Sequence, residues 1–303
     1  MSVSEGRRGF LMVCPVGEIV NNRINIAFDM ILFPWQEKKL RTIWRVEKNG
    51  RGGLLVGTAH FSPYSFKKTL QRLIQRVETV IFEGPLDEES MADVARHGRR
   101  SEGTPSLYDA LDPDVIRGIN ALLAPRSGSG TTAGSYLDFL GSRSAGFMEA
   151  NARNVRPWMA LFATWTAFLN WSHSMDMEAF QIAGKLGKRI EYLETIADQL
   201  ATLDGIPFDR IVRYFNQYRS WNNHRDFFSR VYFAGDLESR LSKTGDFPTR
   251  CEEVIGRRDP IFFRGIRNAF QRGPAAAFIG IGHIPGVIQR FRADGCIIRE
   301  EAC

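Results

Sequence analysis

Two short segments that end in histidine are the residues of this chain best suited to do chemistry. Gly57 and His60 close the segment LLVGTAH, and Gly280 and His283 close the segment AFIGIGH, so both follow the pattern Gly-x-x-His. Each motif comes directly after an apolar, strand-like run and precedes an amphipathic stretch typical of a helix. Two imidazoles presented by the same local geometry are what a shared metal site requires. The repeat therefore predicts that His60 and His283 bind one metal ion.

The residues around His60 predict the elements that must position it. The runs LRTIWRV and LLVGTAH, joined by a turn at Asn49-Gly50, indicate a β-hairpin. The next segment, SFKKTLQRLIQRV, has apolar residues at helical spacing, and TVIFE is a continuous apolar run typical of a strand buried on both faces. Strand, helix and strand form a βαβ unit, whose two strands we expect to be parallel neighbours. Glu83, which ends TVIFE, should then lie beside His60 at the carboxyl edge of the sheet.

Two histidines and one carboxylate are a common ligand set for divalent metals with an open coordination position. A metal held by His60, Glu83 and His283 would lower the pKa of a bound water from ~16 to ~7 and provide a nucleophile at neutral pH. We expect Gly57 and Gly280 to adopt backbone angles closed to other residues, so that the chain turns sharply off each strand. Each histidine precedes a predicted helix, whose dipole we expect to keep the imidazole neutral and able to bind metal.

The remaining segments predict an α/β fold with mixed α+β character. Residues 87–255 indicate mainly helices, including an aromatic stripe in PWMALFATWTAFLNW that is typical of a core. Within them, KRIEYLE predicts another buried strand, and HGRRSEGTPS and APRSGSGTTAGS predict loops. The α/β pattern returns from Arg258 with a helix, the strand AAAFIGIGH, a short helix and the strand CIIRE. We therefore predict one domain over residues 1–303, in which the N- and C-terminal segments build a central mixed, partly parallel sheet. Residues 87–255 form a large helical insertion or cap, and residues 1–38 carry no motif that places them.

Composition and charge argue against several classes of protein. The 40 Lys and Arg residues exceed the 34 Asp and Glu residues by a net charge of +6, but no basic stripe with interleaved aromatics appears, so we expect no nucleic-acid partner. The four cysteines form no Cys-x-x-Cys pair and are typical of reduced thiols in a cytosolic protein. The most apolar internal stretch is shorter than the ~20 residues that a membrane helix needs. We therefore predict a cytoplasmic protein without a membrane span. Serine-hydrolase, P-loop and His-Glu-x-x-His motifs do not occur.

The paired motifs and their order resemble the TraB/GumN (PrgY-like) family, which is related to the Tiki metalloproteases and more distantly to ChaN and erythromycin-esterase proteins. The resemblance runs from about residue 40 to the end and includes RPWMA, KRIEYLETIADQL, FAGDLE and GRRDPIF in the family's order. It implies a divalent-metal hydrolase, in the Tiki branch a peptidase. The metal implied is manganese or cobalt, with zinc as an alternative, and its ligands would be His60, Glu83 and His283.

The resemblance also implies two further site residues. Arg258 matches an arginine that could orient the carboxylate or bind a substrate oxyanion, although Asp259 follows it here where the family often has asparagine. Glu194 falls where a predicted strand ends and a helix starts, so it could face the same crevice. The alternative is that Glu194 is only a charge at a helix N-terminus.

The leading interpretation is a metal-dependent hydrolase that acts on peptides, with Glu83 or Glu194 as general base and Arg258 as an electrostatic helper. A second hypothesis is a non-catalytic regulatory protein that binds a peptide or small ligand, as pheromone shutdown would require. A third is a metal-dependent esterase, or another hydrolase of small molecules, on the same site. The sequence leaves open the substrate, the metal and whether the chain forms a homo-oligomer. For His97, His173 and His224 we expect structural roles.

Overall fold

The central feature of the fold is a six-stranded mixed sheet with helices on both faces. The computed structural model describes residues 39–124, 146–234 and 245–301. The strands are β1 (Ile43–Lys48), β2 (Arg51–Thr58), β3 (Thr79–Phe82), β4 (Arg189–Tyr192), β5 (Ala275–Gly280) and β6 (Ile297–Glu300). They lie in the order β4-β3-β5-β2-β1-β6. β2, β5, β3 and β4 are parallel, and β1 pairs antiparallel with both β2 and β6. The predicted α/β class with a mixed, partly parallel sheet is confirmed.

Twelve α-helices occur in the part of the chain that the structure describes. Before β4 these are α1 (Lys67–Gln75), α2 (Glu88–His97), α3 (Leu107–Ala110), α4 (Pro113–Leu123), α5 (Phe147–Ala152), α6 (Pro157–Leu169) and α7 (Met175–Lys185). After β4 they are α8 (Ile196–Asp204), α9 (Phe208–Asn216), α10 (Trp221–Ala234), α11 (Asp259–Arg272) and α12 (Ile284–Ala293). A 3₁₀ turn at Tyr218–Ser220 precedes α10, and a π-helical turn at Glu252–Gly256 precedes α11. None of the described helices combines the length and the apolar character needed to cross a membrane.

The hairpin of β1 and β2 forms where the sequence predicts it. Asn49 and Gly50 both have positive φ, at 52° and 73°. Positive φ at both central residues is the conformation of a type I′ turn, whose twist matches that of the flanking strands. The hairpin therefore sets the register in which Arg45 lies opposite Leu54 and Trp44 opposite Leu55.

The expectation that β2 and β3 are neighbours is wrong. β5, which comes almost 200 residues after β3 in the chain, lies between them and pairs in parallel with both. A right-handed crossover can skip one strand position, and the local βαβ pattern does not say whether it does. The insertion of β5 makes the two strands that carry the Gly-x-x-His motifs direct neighbours.

The two faces of the sheet bury different side chains because successive residues of a strand point in opposite directions. On one face Leu54 and Val56 of β2 join a core with α1 and α7, and on the other Leu55 joins a core with α11 and α12. Both faces are covered by helices, so the central strands are apolar throughout, as expected for parallel strands. These two cores hold the carboxyl ends of β2, β3 and β5 in place.

The described part of residues 87–255 is mainly helical and has a core of its own. Trp158, Trp165 and Phe168 of α6 are buried there, which confirms the prediction that the aromatic stripe is core. The predicted strand KRIEYLE exists as β4, but it is an edge strand with Arg189 and Tyr192 exposed, so the expectation of a buried strand is wrong. Residues 1–38 and most of the Gly/Ser-rich segment APRSGSGTTAGS lie outside the described residues.

Candidate functional site

The two Gly-x-x-His motifs and Glu83 converge at the carboxyl edge of the sheet. Thr58, at the end of β2, pairs with Gly280, at the end of β5, so the two motifs leave the sheet side by side. Glu83 follows β3 on the other side of β5. The point that a Cβ atom on Gly280 would occupy lies 3.1 Å from Glu83 Oε1, 3.8 Å from His283 Cδ2 and 3.9 Å from His60 Nε2. The structure therefore brings together the three residues proposed as metal ligands around one point.

Glu83 is held in its ionised form by the groups around it. The backbone N–H of Gly280 donates to Glu83 Oε1 at 2.6 Å, and Arg258 Nη2 donates to Glu83 Oε2 at 2.8 Å. Burial by itself raises the pKa of Glu83, but the charge of Arg258, assisted by the two histidines and by the Gly280 N–H, lowers it to about 2. Glu83 is therefore a carboxylate across the physiological pH range.

Arg258 connects the two glutamates of the site. Its Nε lies 3.0 Å and 2.9 Å from the two carboxylate oxygens of Glu194, and its Nη2 also donates to Glu194 Oε2 at 2.8 Å. The Glu194 side chain is only 3% exposed, and Thr195 rather than Glu194 caps α8. Glu194 is thus buried at the site, where it is bound to the Arg258 guanidinium.

Each of the two motif histidines is hydrogen-bonded to a carboxylate through Nδ1. His60 Nδ1 lies 2.9 Å from Asp176 Oδ2, on the first turn of α7, and His283 Nδ1 lies 2.7 Å from Asp259 Oδ1, at the start of α11. Both carboxylates are buried. A histidine that ligates a metal typically donates its other ring N–H to a carboxylate in this way, which fixes the ring orientation.

Sequence reasoning missed Asp176 and Asp259 as site residues. Asp176 lies 116 residues from His60, in a helix start that carries no motif. In the sequence, Asp259 was notable only because the family that the chain resembles often has asparagine at this position. The structure gives that departure a role, because the Asp259 carboxylate accepts a hydrogen bond from the His283 ring.

The predicted reason for glycine at positions 57 and 280, a backbone conformation closed to other residues, is wrong. Neither Gly57 nor Gly280 has a positive φ, so a left-handed backbone is not what selects glycine there. Space is the constraint: a Cβ on Gly57 would lie 3.0 Å from Ile284 Cγ1, and a Cβ on Gly280 would lie 3.1 Å from Glu83 Oε1. A related constraint acts at Gly286, where a Cβ would overlap the Asp259 carboxylate.

The expectation that a helix dipole keeps both histidines neutral fails for His60. His283 is the N-cap residue of α12, but α1 begins only at Lys67, seven residues beyond His60. Desolvation lowers the pKa of His60, yet the charge and hydrogen bond of Asp176 outweigh it and raise the pKa to about 9. The side chain of His60 is 65% exposed, whereas that of His283 is 5% exposed. The site therefore opens to solvent on the His60 side.

Two other histidines also have carboxylate partners. His97 Nε2 lies 2.7 Å from Asp204 Oδ2, and His173 Nδ1 lies 3.2 Å from Glu178 Oε1. The His97 pair joins α2 to α8 in the helical region, and the His173 pair lies at the start of α7. These contacts tie neighbouring elements together, in line with the structural roles expected for both residues.

The side chains of the cluster are of the types that bind a divalent metal. His60 and His283 use Nδ1 for a carboxylate, so Nε2 of each ring is the atom that would bind a metal, and Glu83 adds oxygen ligands. In the described residues, however, no group of three or more His, Cys, Asp or Glu side chains is close enough to form a metal-binding cluster. The guanidinium of Arg258 lies between these groups instead, 3.3 Å from His283 Nε2 and 2.8 Å from Glu83 Oε2.

The chain is similar to a known protein family. None of the curated proteins compared with the chain gave a significant match. The model of the TraB/PrgY/gumN family matches residues 42–300, a range that begins before β1 and ends with β6. The match includes both Gly-x-x-His motifs, Glu83, Glu194 and Arg258. With the whole sheet and every residue of the cluster inside the matched range, the chain belongs to the TraB/PrgY/gumN family.

Proposed function

We propose that this chain is a metal-dependent hydrolase that cleaves peptide bonds. The observation that carries the proposal is the pair of histidine–carboxylate hydrogen bonds, His60 with Asp176 and His283 with Asp259, at the edge of the sheet where Glu83 lies. Two histidines oriented by buried carboxylates and one adjacent glutamate are the usual environment of a catalytic divalent metal. The choice of peptides as the substrate class rests on the resemblance to the Tiki metalloproteases.

Lewis-acid activation of water is the chemistry that a divalent cation, manganese, cobalt or zinc, would supply when held by His60, Glu83 and His283. Glu83 would contribute beyond ligation. Each of its oxygens accepts one hydrogen bond and keeps a further lone pair, so one oxygen could bind the cation while the other accepts a proton from the attacking water. We therefore assign the general base to Glu83, which is ionised at neutral pH but weakly basic, so the proton transfer would depend on the lowering of the water pKa by the cation.

Glu194 has a different role in this proposal. Its side chain is only 3% exposed and both of its oxygens are engaged by the Arg258 guanidinium, so it orients the arginine rather than accepting a proton from water. The guanidinium in turn donates toward Glu83 and could stabilise the oxyanion that forms when the carbonyl is attacked. The exposed ring of His60 marks the side from which a peptide would enter.

A non-catalytic peptide- or ligand-binding protein is the second candidate, and one observation favours it. Arg258 already pairs with Glu83 and Glu194 and contacts His283, so a cationic side chain of the protein occupies the described cluster without a metal. Such a site would bind its ligand by hydrogen bonds and would not need a metal. An esterase differs from the leading proposal only in the substrate.

The test is metal content and hydrolysis in the purified protein. We expect stoichiometric uptake of Mn²⁺ or Co²⁺ and cleavage of members of a peptide library, with ester substrates assayed in parallel. His60→Ala and His283→Ala should each lower cleavage by roughly 100-fold or more, because each removes a ligand. His97→Ala is the matched control, since it also breaks a histidine–aspartate pair, but one in the helical region. Peptide binding that survives chelation and both site variants, without turnover, would favour the second candidate.

A further inference from the structure

The guanidinium of Arg258 contacts the atoms that a metal would use. Nη1 lies 3.3 Å from His283 Nε2, and Nη2 lies 2.8 Å from both Glu83 Oε2 and Glu194 Oε2. The side chain is 9% exposed, and its guanidinium carbon lies 4.7 Å from the centre of the Phe262 ring. Phe262 also packs against the His283 ring, with centroids 4.7 Å apart. Arg258 is therefore enclosed between the ligands, its anchor Glu194 and an aromatic wall.

The direction of these hydrogen bonds shows which lone pairs of the proposed ligands Arg258 occupies. Arginine has only N–H donors and no acceptor, so His283 Nε2 must accept from Nη1. His283 then carries its proton on Nδ1 and donates it to Asp259 Oδ1. The lone pair on His283 Nε2 is the one that a metal would need, and Arg258 uses it. The same holds for one lone pair of Glu83 Oε2.

We propose that Arg258 and the divalent cation are alternative occupants of this site, and that Glu194 is the anchor that keeps Arg258 nearby when the cation enters. This inference rests on the proposed function for the metal itself. Entry of the cation would break the Nη1 contact to His283 and the Nη2 contact to Glu83, because the cation and the guanidinium compete for the same lone pairs. The contacts of Nε and Nη2 with Glu194 can persist. Arg258 thus lowers the affinity of the site for metal and stays within reach of a substrate oxyanion.

Metal binding to matched variants tests this inference directly. Arg258→Met would leave the buried Glu194 without a cation, so it is combined with Glu194→Gln to keep the charge balanced. Arg257→Met is the control, because Arg257 is an adjacent arginine that is exposed. Co²⁺ is titrated into each full-length protein and followed by calorimetry and by visible absorption. We expect the double variant to bind Co²⁺ roughly tenfold or more tightly than the wild type, and the control to bind like the wild type.

A second measurement needs no variant at all. The side-chain ¹⁵N signals of Arg258 are followed by NMR while Zn²⁺, which is diamagnetic, is added to the wild-type protein. We expect the Nη signals to shift as their contacts with His283 and Glu83 are lost, and the Nε signal to remain that of a hydrogen-bonded group. Unchanged Nη signals at saturating Zn²⁺ would contradict the displacement even if the double variant did not fold.

The outcomes separate this inference from the proposed function. If wild type and double variant bind Co²⁺ equally, or the double variant binds more weakly, Arg258 does not compete with the metal, and the proposed hydrolase is unaffected. If the double variant binds more tightly but no form hydrolyses a peptide or an ester, the competition stands and the hydrolase is refuted. If no form binds metal, the metal site and this inference fail together.

Discussion

The two motif glycines make a matched pair for testing the geometry of the site. Gly57 and Gly280 occupy the same position in the same four-residue pattern, and both have backbone angles that alanine can adopt. An alanine Cβ at position 57 would lie 3.0 Å from Ile284 Cγ1, inside an apolar core. At position 280 it would lie 3.1 Å from Glu83 Oε1 and within 4 Å of both motif histidines. The same substitution should therefore disturb apolar packing at position 57 and the proposed ligand cluster at position 280.

The expected stability loss is similar for the two variants. In each case one neighbouring atom must move by a few tenths of an ångström, and such overpacking costs about 1–3 kcal/mol. Alanine also restricts the unfolded chain, which offsets about 0.4–1 kcal/mol. We expect Gly57→Ala and Gly280→Ala each to lower the free energy of unfolding by about 0–2.6 kcal/mol, measured by urea denaturation of the metal-free protein.

Metal binding should distinguish the two variants sharply. Gly280→Ala displaces the Glu83 carboxylate and fills the point that the two histidines face, so Co²⁺ affinity should fall roughly 10- to 100-fold. Gly57→Ala should bind Co²⁺ like the wild type, because its new methyl group meets Ile284 and Thr42 rather than a ligand. Equal affinity in Gly280→Ala and the wild type, or equal losses in both variants, would refute the placement of the metal at this point.

Two further predictions concern the carboxylates that orient the histidines. Gly286→Ala should destabilise the protein by about 1–3 kcal/mol, because its Cβ would overlap the Asp259 carboxylate. Gly184→Ala is the control: its Cβ would lie in open space within α7, so it should stabilise the protein by about 0.5–1 kcal/mol. A similar effect at both positions in thermal denaturation would contradict the close contact between Gly286 and Asp259. In the metal-free protein the pKa of His60 is raised from 6.5 to about 9, so the stability that the Asp176 contact provides is complete below pH 6.5 and is lost as the pH rises through about 9. The difference in unfolding free energy between wild type and Asp176→Asn should therefore shrink over that range, and a difference that grows with pH would exclude this contact as its source.

Much of the secondary structure was predictable because its signals are local. The period of apolar residues in SFKKTLQRLIQRV and PWMALFATWTAFLNW indicates helices, and both form. Asn49-Gly50 predicts its turn because both residues tolerate a positive φ. In each case the residues that carry the signal lie within one turn or one strand of the structure they specify.

Strand order was not predictable, because it depends on contacts between distant segments. The pattern around β2 and β3 is the same whether or not a third strand lies between them, and β5 enters from almost 200 residues away. The exposure of Arg189 and Tyr192 follows from the position of β4 at the edge of the sheet, and the residues of KRIEYLE do not specify that position.

Local sequence patterns were enough to identify the residue types of the site and its general position: two Gly-x-x-His motifs and a glutamate at the ends of apolar strands. They were enough because a strand end and the residues that follow it are specified by a few adjacent amino acids. The contacts of those residues, in contrast, depend on how the elements pack in three dimensions. Asp176, Asp259 and Glu194 reach the site from separate helices or loops, and a hydrogen bond between residues far apart in the chain depends on how the elements pack. The same packing places Arg258 among the ligands, and that position makes its competition with a metal an experimental question.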